Sequence, residues 1–301
     1  MSLQTVEQFC QKEKIEYVKD EPMKLHTSFR IGGNADLFIT PESEEKLCRL
    51  LFVLKENGVP YMILGRGSNL VVSDLGIEGA VVSLSAINQV CLKGDSRVYA
   101  GAGASLASLC TFARDNCLSG LEFAYGIPGS VGGAMVMNAG AYGGEMKDAV
   151  LSARVLLPSG SIKVINKDEM ELSYRSSIFK KEKLIVLSAE FSLLKKDKEE
   201  ITAQMDDYMN RRKQKQPLEY PSGGSVFKRP EGYFAGALIE KNGFKGVSVG
   251  SAQVSVKHAG FIINTGNATC KNVKELIEKI QQKVMESDGV SLETELIFVG
   301  R

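Results

Sequence analysis

A stretch of 22 residues without a charged side chain, residues 123–144, constrains the fold of this chain more than any other feature. Its length would suit a membrane span, but it contains seven glycines and Pro128. These residues forfeit helix propensity and apolar area, so a membrane helix is excluded. Ordering such a flexible loop costs considerable conformational entropy. The sequence therefore predicts a buried glycine-rich loop that is ordered for a purpose, the binding of a ligand.

Composition and charge narrow the class of protein further. The 301 residues suggest two domains, and the net charge of +1 argues against a nucleic-acid or anionic-membrane binder. Only two histidines occur, His26 and His258, which disfavours a zinc site, and no other metal site is expected. The six cysteines form no C-x-x-C pair and residues 1–20 show no secretory signal. We therefore expect reduced thiols in a cytoplasmic protein that is not inserted in a membrane.

The apolar pattern changes between helical and strand periods along the chain. Helical spacing occurs at residues 3–16, 42–57, 105–115 and 272–287, and apolar runs of strand length occur at 61–64, 70–72, 80–84 and 97–100. Residues 149–165 predict a hairpin around Pro158-Ser159-Gly160. From Lys195 the composition turns strongly charged, and a polar helix is predicted to about Lys215. The predicted class is α+β, with domains at 1–195, subdivided near residue 83, and at 196–301.

The segment LGRGSNLVVSD, residues 64–74, is the first candidate ligand loop. Its two glycines can turn consecutive backbone N–H groups toward one point and form a nest for phosphate, and its serine and asparagine add side-chain donors. Leu70 stands where the dinucleotide fingerprint requires a third glycine, and the β-branched residues after it favour a strand over a helix. A Walker loop is absent as well. An ordinary turn between two strands explains the same residues, so both interpretations stay open.

The second candidate loop is YGIPGSVGGAMVMNAGAYGG, residues 125–144. Its glycines let the backbone approach a flat or anionic ligand without obstruction by side chains. Residues 127–130 suit a turn whose N–H groups face a phosphate. Residues 131–137 are predicted to continue as a helix whose positive N-terminus helps binding. A purely structural loop of this composition is the alternative, and its ordering cost makes it the weaker one.

Taken together and in this order, the two loops resemble a known enzyme family. The sequence is similar to the UDP-N-acetylenolpyruvoylglucosamine reductases (MurB), flavoenzymes of bacterial cell-wall precursor synthesis. One matching segment would be weak, whereas six in the family's order span nearly the whole chain. These segments are TSFRIGG at 27–33, LGRGSNL at 64–70, residues 126–144, YRSSIF at 174–179, GGSVFK at 223–228 and LETE at 292–295.

The resemblance implies an architecture and a cofactor. The fold would be a two-part FAD-binding domain of the vanillyl-alcohol oxidase and p-cresol methylhydroxylase type, followed by a smaller α+β substrate domain whose last strand can return to the FAD domain. The FAD would be bound without a covalent bond, and neither loop contains a His or Cys that suggests otherwise. The implied FAD contacts are Gly65, Arg66, Gly67, Ser68, Asn69, Leu70, Gly126, Ile127, Pro128, Gly129, Ser130, Gly133, Ala134, Gly140 and Tyr142.

The implied reaction uses NADPH as co-substrate and reduces the enolpyruvyl group of a UDP-sugar to a lactyl ether through FAD. Charge that builds on the conjugated carboxylate must be stabilised, and the α-carbon must be protonated. Arg175 matches the first role, because a guanidinium stays charged and forks onto a carboxylate. Ser225 matches the family's proton donor. Glu295 matches a third catalytic residue, which either orients the substrate or, if protonated, stabilises the intermediate.

Several further residues are expected to contact the substrate or NADPH. They are Tyr174, Lys215, Lys228, Arg229, Lys245 and His258, of which the four cations would meet phosphates. The longer of two family subtypes has an Asn at the position of Arg229 and an insertion whose Tyr covers the substrate. Residues 187–221 leave little room for that insertion, so the shorter subtype fits better.

Other interpretations of the same residues remain. Viewed alone, Arg175 is a surface arginine, Ser225 a turn serine and Glu295 a solvent-facing strand residue, and only their joint match favours catalysis. A different FAD oxidoreductase of the same fold would not need Ser225 and Glu295. A non-catalytic nucleotide-binding module would use the glycine loops without FAD. The sequence makes no prediction of an oligomer.

Overall fold

The computed structural model describes residues 3–301, which form two compact units. The first unit comprises the described residues up to Val18 together with Leu37–Arg66 and Gly79–Arg211. The second comprises Lys19–Asp36, Gly67–Glu78 and Arg212–Arg301. In packing terms the last division along the chain therefore falls between Arg211 and Arg212. The boundary predicted at residue 195 from the change in composition stays a prediction.

The helices range in length from four to 19 residues. They are α1 (Leu3–Glu13), α2 (Glu44–Glu56), α3 (Leu106–Asp115), α4 (Val131–Met137), α5 (Met146–Ala149), α6 (Ile178–Lys181), α7 (Lys198–Lys215), α8 (Ala235–Lys241) and α9 (Cys270–Asp288). Short 3-10 turns occur at Met23–Leu25, Glu122–Ala124 and Lys167–Glu169.

The strands are short and form several sheets. They are β1 (Glu16–Pro22), β2 (Asn34–Thr40), β3 (Tyr61–Leu64), β4 (Leu70–Val72), β5 (Ile77–Ser83), β6 (Val90–Leu92), β7 (Arg97–Gly101), β8 (Leu118–Ser119), β9 (Gly140–Ala141), β10 (Gly144–Glu145), β11 (Val150–Leu156), β12 (Ile162–Asn166), β13 (Ile185–Ser192), β14 (Leu194–Lys195), β15 (Ser222–Ser225), β16 (Ser248–Val249), β17 (Ala252–Val254), β18 (Phe261–Asn264) and β19 (Ile297–Val299).

The first unit is organised around a five-stranded antiparallel sheet of order β12-β11-β13-β7-β6. The predicted hairpin is confirmed as β11 and β12, with Ala153 opposite Ile165. β3 pairs in parallel with β5 and brings Leu64 opposite Ser83. The core of this unit contains residues of α1, α2, α3 and α4 packed with the strands. This scaffold fixes the strand end from which the first glycine loop leaves.

The start and the buried face of helix α2 are determined by residues within its own short segment of sequence. The hydroxyl of Ser43 accepts a hydrogen bond from the Lys46 N–H at 3.1 Å, which starts the helix at the next residue. Glu44 and Glu45 occupy the first turn, where negative charge is favourable. The side chains at helical spacing are buried, namely Leu47, Leu50, Leu51 and Leu54. The helix predicted at 42–57 is therefore confirmed, with ends at Glu44 and Glu56.

The second unit combines the antiparallel sheet β15-β18-β17-β16 with the long helix α9. Thr269 caps α9 by accepting from the Asn272 N–H at 3.1 Å, and Gly289 ends it in the left-handed conformation. The core of this unit consists of the apolar face of α9 packed with the strands and with Phe29, which is fully buried. β19 pairs in parallel with β4.

The C-terminal part contains two short strands in unusual sequence contexts. The Gly/Pro-rich segment 217–230 includes the strand β15. The sequence predicts a last strand over residues 293–299, but β19 covers only Ile297–Val299. The segment changes partners near Leu296, because the Glu295 N–H donates to the Val226 carbonyl at 2.7 Å and the Ile297 N–H to the Asn69 carbonyl at 2.9 Å.

The uncharged stretch does not form a long helix. Residues 123–144 fold into a 3-10 turn, the seven-residue helix α4 and the β9–β10 hairpin. Within residues 3–301, no helix combines the length and apolar character that a membrane span requires.

Candidate active site

The first glycine loop offers a row of free backbone donors. Within the described chain, the N–H groups of Gly65, Arg66, Gly67, Ser68 and Asn69 make no hydrogen bond. Gly67 is buried, and buried N–H groups without a partner are rare in proteins. Consecutive N–H groups in such a loop bind anionic oxygens. The loop therefore fits a phosphate or pyrophosphate group better than it fits an ordinary turn.

Gly67 is required by the geometry of this loop. It has a φ of +58°, and a Cβ built on it would lie 2.2 Å from the carbonyl oxygen of His26. That oxygen belongs to the backbone and has little room to move. A side chain at position 67 would thus displace the donors on either side of it.

The two glycine loops meet in the first unit. A Cβ on Gly65 would lie 2.4 Å from the Oγ of Ser130, so the backbone of one loop contacts a side chain of the other. Ser130 is buried and caps helix α4, with its hydroxyl 3.4 Å from the Gly133 N–H. This contact places residues 65 and 130 next to each other, as a shared ligand would require.

The first two N–H groups of helix α4 already have backbone partners. The Val131 N–H donates to the Ala104 carbonyl at 2.9 Å, and the Gly132 N–H donates to the Ala102 carbonyl at 2.8 Å. These two groups would normally be free at a helix N-terminus. They hold α4 beside the end of β7 instead, and the expected help of the helix N-terminus in phosphate binding stays a prediction.

The rest of the second loop is largely bonded within itself. The Ile127 N–H donates to the Ala124 carbonyl and the Gly129 N–H to the Ile127 carbonyl, while Pro128 has no N–H. Ala134 is buried and belongs to the core. Gly140 lies in the β9–β10 hairpin, where a Cβ would meet the Gly144 carbonyl oxygen at 2.8 Å. Flavin contacts stay predictions for the following residues of the second loop: Gly126, Ile127, Pro128, Gly129, Ala134 and Gly140.

Tyr142 occupies the turn of the β9–β10 hairpin. Tyr142 and Gly143 have φ angles of +54° and +88°, the pattern of a type I′ turn. The Tyr142 ring stacks on the ring of Tyr208 in α7, with centroids 4.6 Å apart and planes 4° from parallel. The guanidinium of Arg211 lies 5.9 Å from the Tyr208 centroid. At least one face of the Tyr142 ring, a predicted flavin contact, therefore packs against α7.

The Tyr142–Tyr208 stack is expected to stabilise the fold measurably. A double-mutant cycle with Tyr142→Leu and Tyr208→Leu should give a coupling energy of about 0.5–1.5 kcal/mol in urea unfolding. The control cycle combines Tyr61→Leu with Tyr208→Leu, because Tyr61 is another partly exposed tyrosine. The coupling energy of this control cycle should be zero within error. Equal coupling in both cycles would show that the stack contributes nothing specific.

Arg175 lies in a strained turn of the first unit. Ser173 and Ser176 exchange two backbone hydrogen bonds of 3.1 Å, which leaves Tyr174 and Arg175 as a two-residue loop. Arg175 has a φ of +54°, uncommon for a long side chain. Its guanidinium lies 5.1 Å from the centroid of the Tyr174 ring, which is about half exposed. Backbone strain of this kind is often found at functional sites.

This turn is anchored to the C-terminal end of α4. The Ser177 hydroxyl donates to the Val136 carbonyl at 2.7 Å and accepts from the Lys180 N–H, which caps α6. The Asn138 amide donates to the Ser173 carbonyl at 3.2 Å. Asn138 is not among the predicted site residues, although an asparagine after a helix and before a glycine-rich turn is a signal for a left-handed cap.

In the second unit, Ser225 ends a bulged strand. Ser222 pairs with Ile263 and Ser225 with Phe261, so two glycines oppose one residue of β18. Gly224 has a φ of +83°, and a Cβ on Gly223 would lie 2.5 Å from the Leu296 side chain. The glycine pair thus allows close contact with the Leu296 segment, and the Ser225 side chain is exposed.

Glu295 is on the segment beside Ser225. Its N–H donates to the carbonyl of Val226, and its carbonyl accepts from the Asn69 amide at 3.0 Å. Ser28 extends the assembly, since its hydroxyl lies 2.7 Å from the Ser222 carbonyl and 3.3 Å from the Ser68 carbonyl. The second unit therefore brings together Ser68 and Asn69 of the first loop, Ser225 and Glu295.

Three of the predicted substrate residues form a cationic cluster in the second unit. Burial lowers the pKa of His258 below its ordinary value, and the positive charges of Lys245 and Lys215 lower this pKa further. The Gly260 N–H donates to His258 Nδ1 at 3.0 Å, so the neutral ring carries its proton on Nε2. Lys245 is paired with Glu240 at 2.7 Å. The cluster combines two ammonium groups with an N–H donor.

The remaining predicted residues have other partners. Lys228 forms an ion pair with Glu293. The Arg229 guanidinium lies 4.1 Å from the centroid of the Phe234 ring, which is largely exposed. No group of His, Cys, Asp and Glu that could hold a metal ion occurs between residues 3 and 301.

Comparisons with known proteins show the family of this chain. A family model of the FAD binding domain matches residues 35–166, and the model of the UDP-N-acetylenolpyruvoylglucosamine reductase C-terminal domain matches residues 216–299. The reductase of that name from Clostridium novyi is 52% identical over 278 residues, which cover 92% of this chain and 90% of the relative. This chain belongs to the MurB family.

Two further comparisons support membership of the MurB family. The reductase from Syntrophomonas wolfei is 50% identical over 282 residues, which cover 93% of this chain and 94% of that protein. The crystal structure of MurB from Thermus caldophilus superposes with a TM-score of 0.80 at 37% identity and covers 94% of this chain and 98% of that one. The predicted MurB family, its FAD-binding domain and its α+β class are thereby confirmed.

Proposed function

We propose that this chain catalyses the NADPH-dependent reduction of the enolpyruvyl ether of UDP-N-acetylglucosamine to UDP-N-acetylmuramate, by way of bound FAD, in the cytoplasm. The observation that carries the proposal is the row of five free N–H donors at residues 65–69. It lies in a chain that matches MurB reductases over more than nine-tenths of its length. A chain with this loop has a place for a pyrophosphate, and FAD contains one.

The first glycine loop fits FAD through its donor set. Gly65, Arg66, Gly67, Ser68 and Asn69 would hold the pyrophosphate by their N–H groups, with Ser130 close to Gly65. When bound, FAD supplies a hydride acceptor and donor. The protein's tasks are to bind it, orient the substrate beside it and manage charge and protons.

Arg175 would stabilise the carboxylate of the enolpyruvyl group. Negative charge grows on that carboxylate as the double bond is reduced, and a guanidinium can form two parallel hydrogen bonds to it. The anchored turn at residues 173–176 would keep the guanidinium oriented before the charge develops. An oriented charge needs no reorganisation during the reaction.

Ser225 and Glu295 would complete the reduction. The exposed Ser225 hydroxyl would give its proton to the α-carbon, a strong base at that moment. Glu295, on the neighbouring segment, would orient the substrate. Lys215, Lys245 and His258 would bind the diphosphate of the UDP-sugar, for which the cluster supplies positive charge and the Nε2 donor. Tyr174, Lys228 and Arg229 are further candidates for substrate contact.

An anaerobic titration tests the proposed function. The protein loaded with FAD is first reduced with NADPH and then titrated with the enolpyruvyl UDP-sugar while flavin absorbance is followed. Stoichiometric reoxidation with formation of the lactyl ether is expected. Reduction without reoxidation would indicate an FAD oxidoreductase for another substrate. A protein that binds no FAD at all would indicate a nucleotide-binding module.

An Arg175→Ala variant should lose the second half-reaction and keep the first. Removing the charge-assisted contact to the developing carboxylate should slow reoxidation by the UDP-sugar about 10²- to 10³-fold. Stopped-flow measurement of the two half-reactions checks this. Arg175→Lys keeps the positive charge but cannot form two parallel hydrogen bonds to a carboxylate. Its rate of reoxidation should therefore lie between the rates of the wild type and of Arg175→Ala. If Arg175→Ala instead releases flavin, the residue serves cofactor binding and the assigned role is wrong.

A further inference from the structure

Ser28 lies between the first glycine loop and strand β15 of the second unit. Its N–H donates to the Gly67 carbonyl at 3.3 Å, and its hydroxyl oxygen is 2.7 Å from the Ser222 carbonyl and 3.3 Å from the Ser68 carbonyl. A hydroxyl has one proton to donate, and the shorter distance assigns that proton to the Ser222 carbonyl. The backbone of Ser28 therefore holds the loop, while its side chain holds the start of the strand.

The backbone around Ser28 is fixed by groups other than its hydroxyl. The side chain of Phe29 is fully buried in the core of this unit. The buried Asn264 donates from its amide nitrogen to the Phe29 carbonyl at 3.2 Å, and its amide oxygen accepts two backbone N–H groups, both at 3.0 Å. Loss of the Ser28 hydroxyl should therefore leave residues 27–30 in place and release the carbonyl of Ser222.

The contact with Ser222 matters because Ser225 follows it across the bulge of β15. Two glycines separate the two serines, and the second, Gly224, has a φ of +83° and open space where a Cβ would be. Beyond Ser225, the Val226 N–H donates at 2.9 Å to the carbonyl of the residue before β18. Because glycines allow many backbone conformations, the place of the Ser225 hydroxyl depends on how firmly both ends of the bulge are held. The Ser28 hydroxyl holds the first end.

We propose that Ser28 is a positioning residue for Ser225. Its hydroxyl fixes the Ser222 carbonyl before the bulge, and the Ser225 hydroxyl is thereby held in place relative to residues 67–69 of the first glycine loop. This inference rests on the proposed function, since it presupposes that Ser225 supplies a proton beside the FAD that the loop binds. Ser28 touches neither substrate nor cofactor in this role. A reacting group displaced by about 1 Å can slow a reaction about 10²-fold, so one hydrogen bond to the strand has a measurable effect.

A Ser28→Ala variant tests the inference in the FAD-loaded enzyme. Reduction by NADPH should proceed at the wild-type rate, whereas the limiting rate of reoxidation by the enolpyruvyl UDP-sugar should fall about ten- to a hundredfold. Ser28→Thr keeps a hydroxyl at this position and should retain more of that rate. The matched control is Thr265→Val, which removes a hydroxyl that donates to the Ser251 carbonyl at 3.1 Å in the same unit. Both half-reactions of this control should proceed at wild-type rates.

A double-mutant cycle separates positioning from general damage to the enzyme. If Ser28 acts through Ser225, Ser28→Ala should slow the reoxidation of the wild type but should not slow it further in a Ser225→Ala background. Additive losses in the double variant would show that the two residues act independently and would overturn the inference.

Flavin content and melting temperature complete the test. Ser28→Ala and Thr265→Val should both bind FAD like the wild type, and each should melt about 2–4 °C lower because one hydrogen bond is lost. Loss of flavin from Ser28→Ala would show that the hydroxyl serves the FAD loop, and a wild-type rate of reoxidation would show that it is dispensable. Either result overturns the inference. If the wild type itself is not reoxidised by the UDP-sugar, the proposed function fails, and the inference fails with it.

Discussion

A Ser225→Ala variant is expected to be reduced by NADPH at the wild-type rate and to be reoxidised by the enolpyruvyl UDP-sugar about 10²- to 10⁴-fold more slowly. The hydroxyl is the proposed source of the α-carbon proton, and alanine removes it without adding bulk to the bulged strand. Ser225 is exposed and no hydrogen bond of the fold uses its side chain within residues 3–301, so stability should not change. Stopped-flow flavin absorbance resolves the two half-reactions.

The matched control for Ser225 is Ser222→Ala in the same strand. Ser222 contributes its carbonyl to the Ser28 hydroxyl, a contact that survives the substitution. Both half-reactions of this variant should therefore proceed at wild-type rates. A Ser225→Ala enzyme that is reoxidised as fast as the control would remove Ser225 from the mechanism. Slow reduction by NADPH in Ser225→Ala would assign the residue to the first half-reaction instead.

A Gly67→Ala variant is expected to be purified largely without flavin. Alanine at a φ of +58° costs about 1–3 kcal/mol in backbone strain, and its Cβ would lie 2.2 Å from the His26 carbonyl oxygen. Relief of that clash requires the loop to move, which would turn the free N–H groups of residues 65–69 away from the proposed pyrophosphate. Flavin absorbance per protein and the FAD dissociation constant, measured by fluorescence, report the loss.

Gly94→Ala separates the strain from the clash. Gly94 has a φ of +85°, but a Cβ there would meet nothing within 4 Å. This variant should lose a similar amount of backbone stability in urea unfolding and keep its flavin. If both variants retain FAD equally, the first glycine loop is not the pyrophosphate site.

The helices and several strands were predictable because their signals are local. The buried leucines of α2, the cap at Ser43 and the end of the helix before Gly58 can all be recognised within one short window of sequence. The strand β3 and helix α4 occur where the apolar run and the glycine turn predicted them. The six family segments were equally visible, since a motif needs only residue identity and order.

The strand β15 was not predictable in this way. Two glycines and a proline nearby indicate irregular structure, and only the partner strand β18 supplies the hydrogen bonds that make Ser222–Ser225 extended. The Tyr142–Tyr208 stack was not predictable either, because the sequence near each tyrosine does not indicate which ring it contacts.

Most of the longer helices, the places of the glycine loops and the family could be predicted from the sequence, because periodicity, capping residues and motifs depend on a few neighbouring positions. Which residues share a site depends on the tertiary structure. The Asn69 amide finds the Glu295 carbonyl 226 positions away, and the Asn138 side chain joins Glu145 to the turn of Arg175. Hydrogen bonds of this kind depend on how distant segments pack, and no local pattern specifies the distant partner.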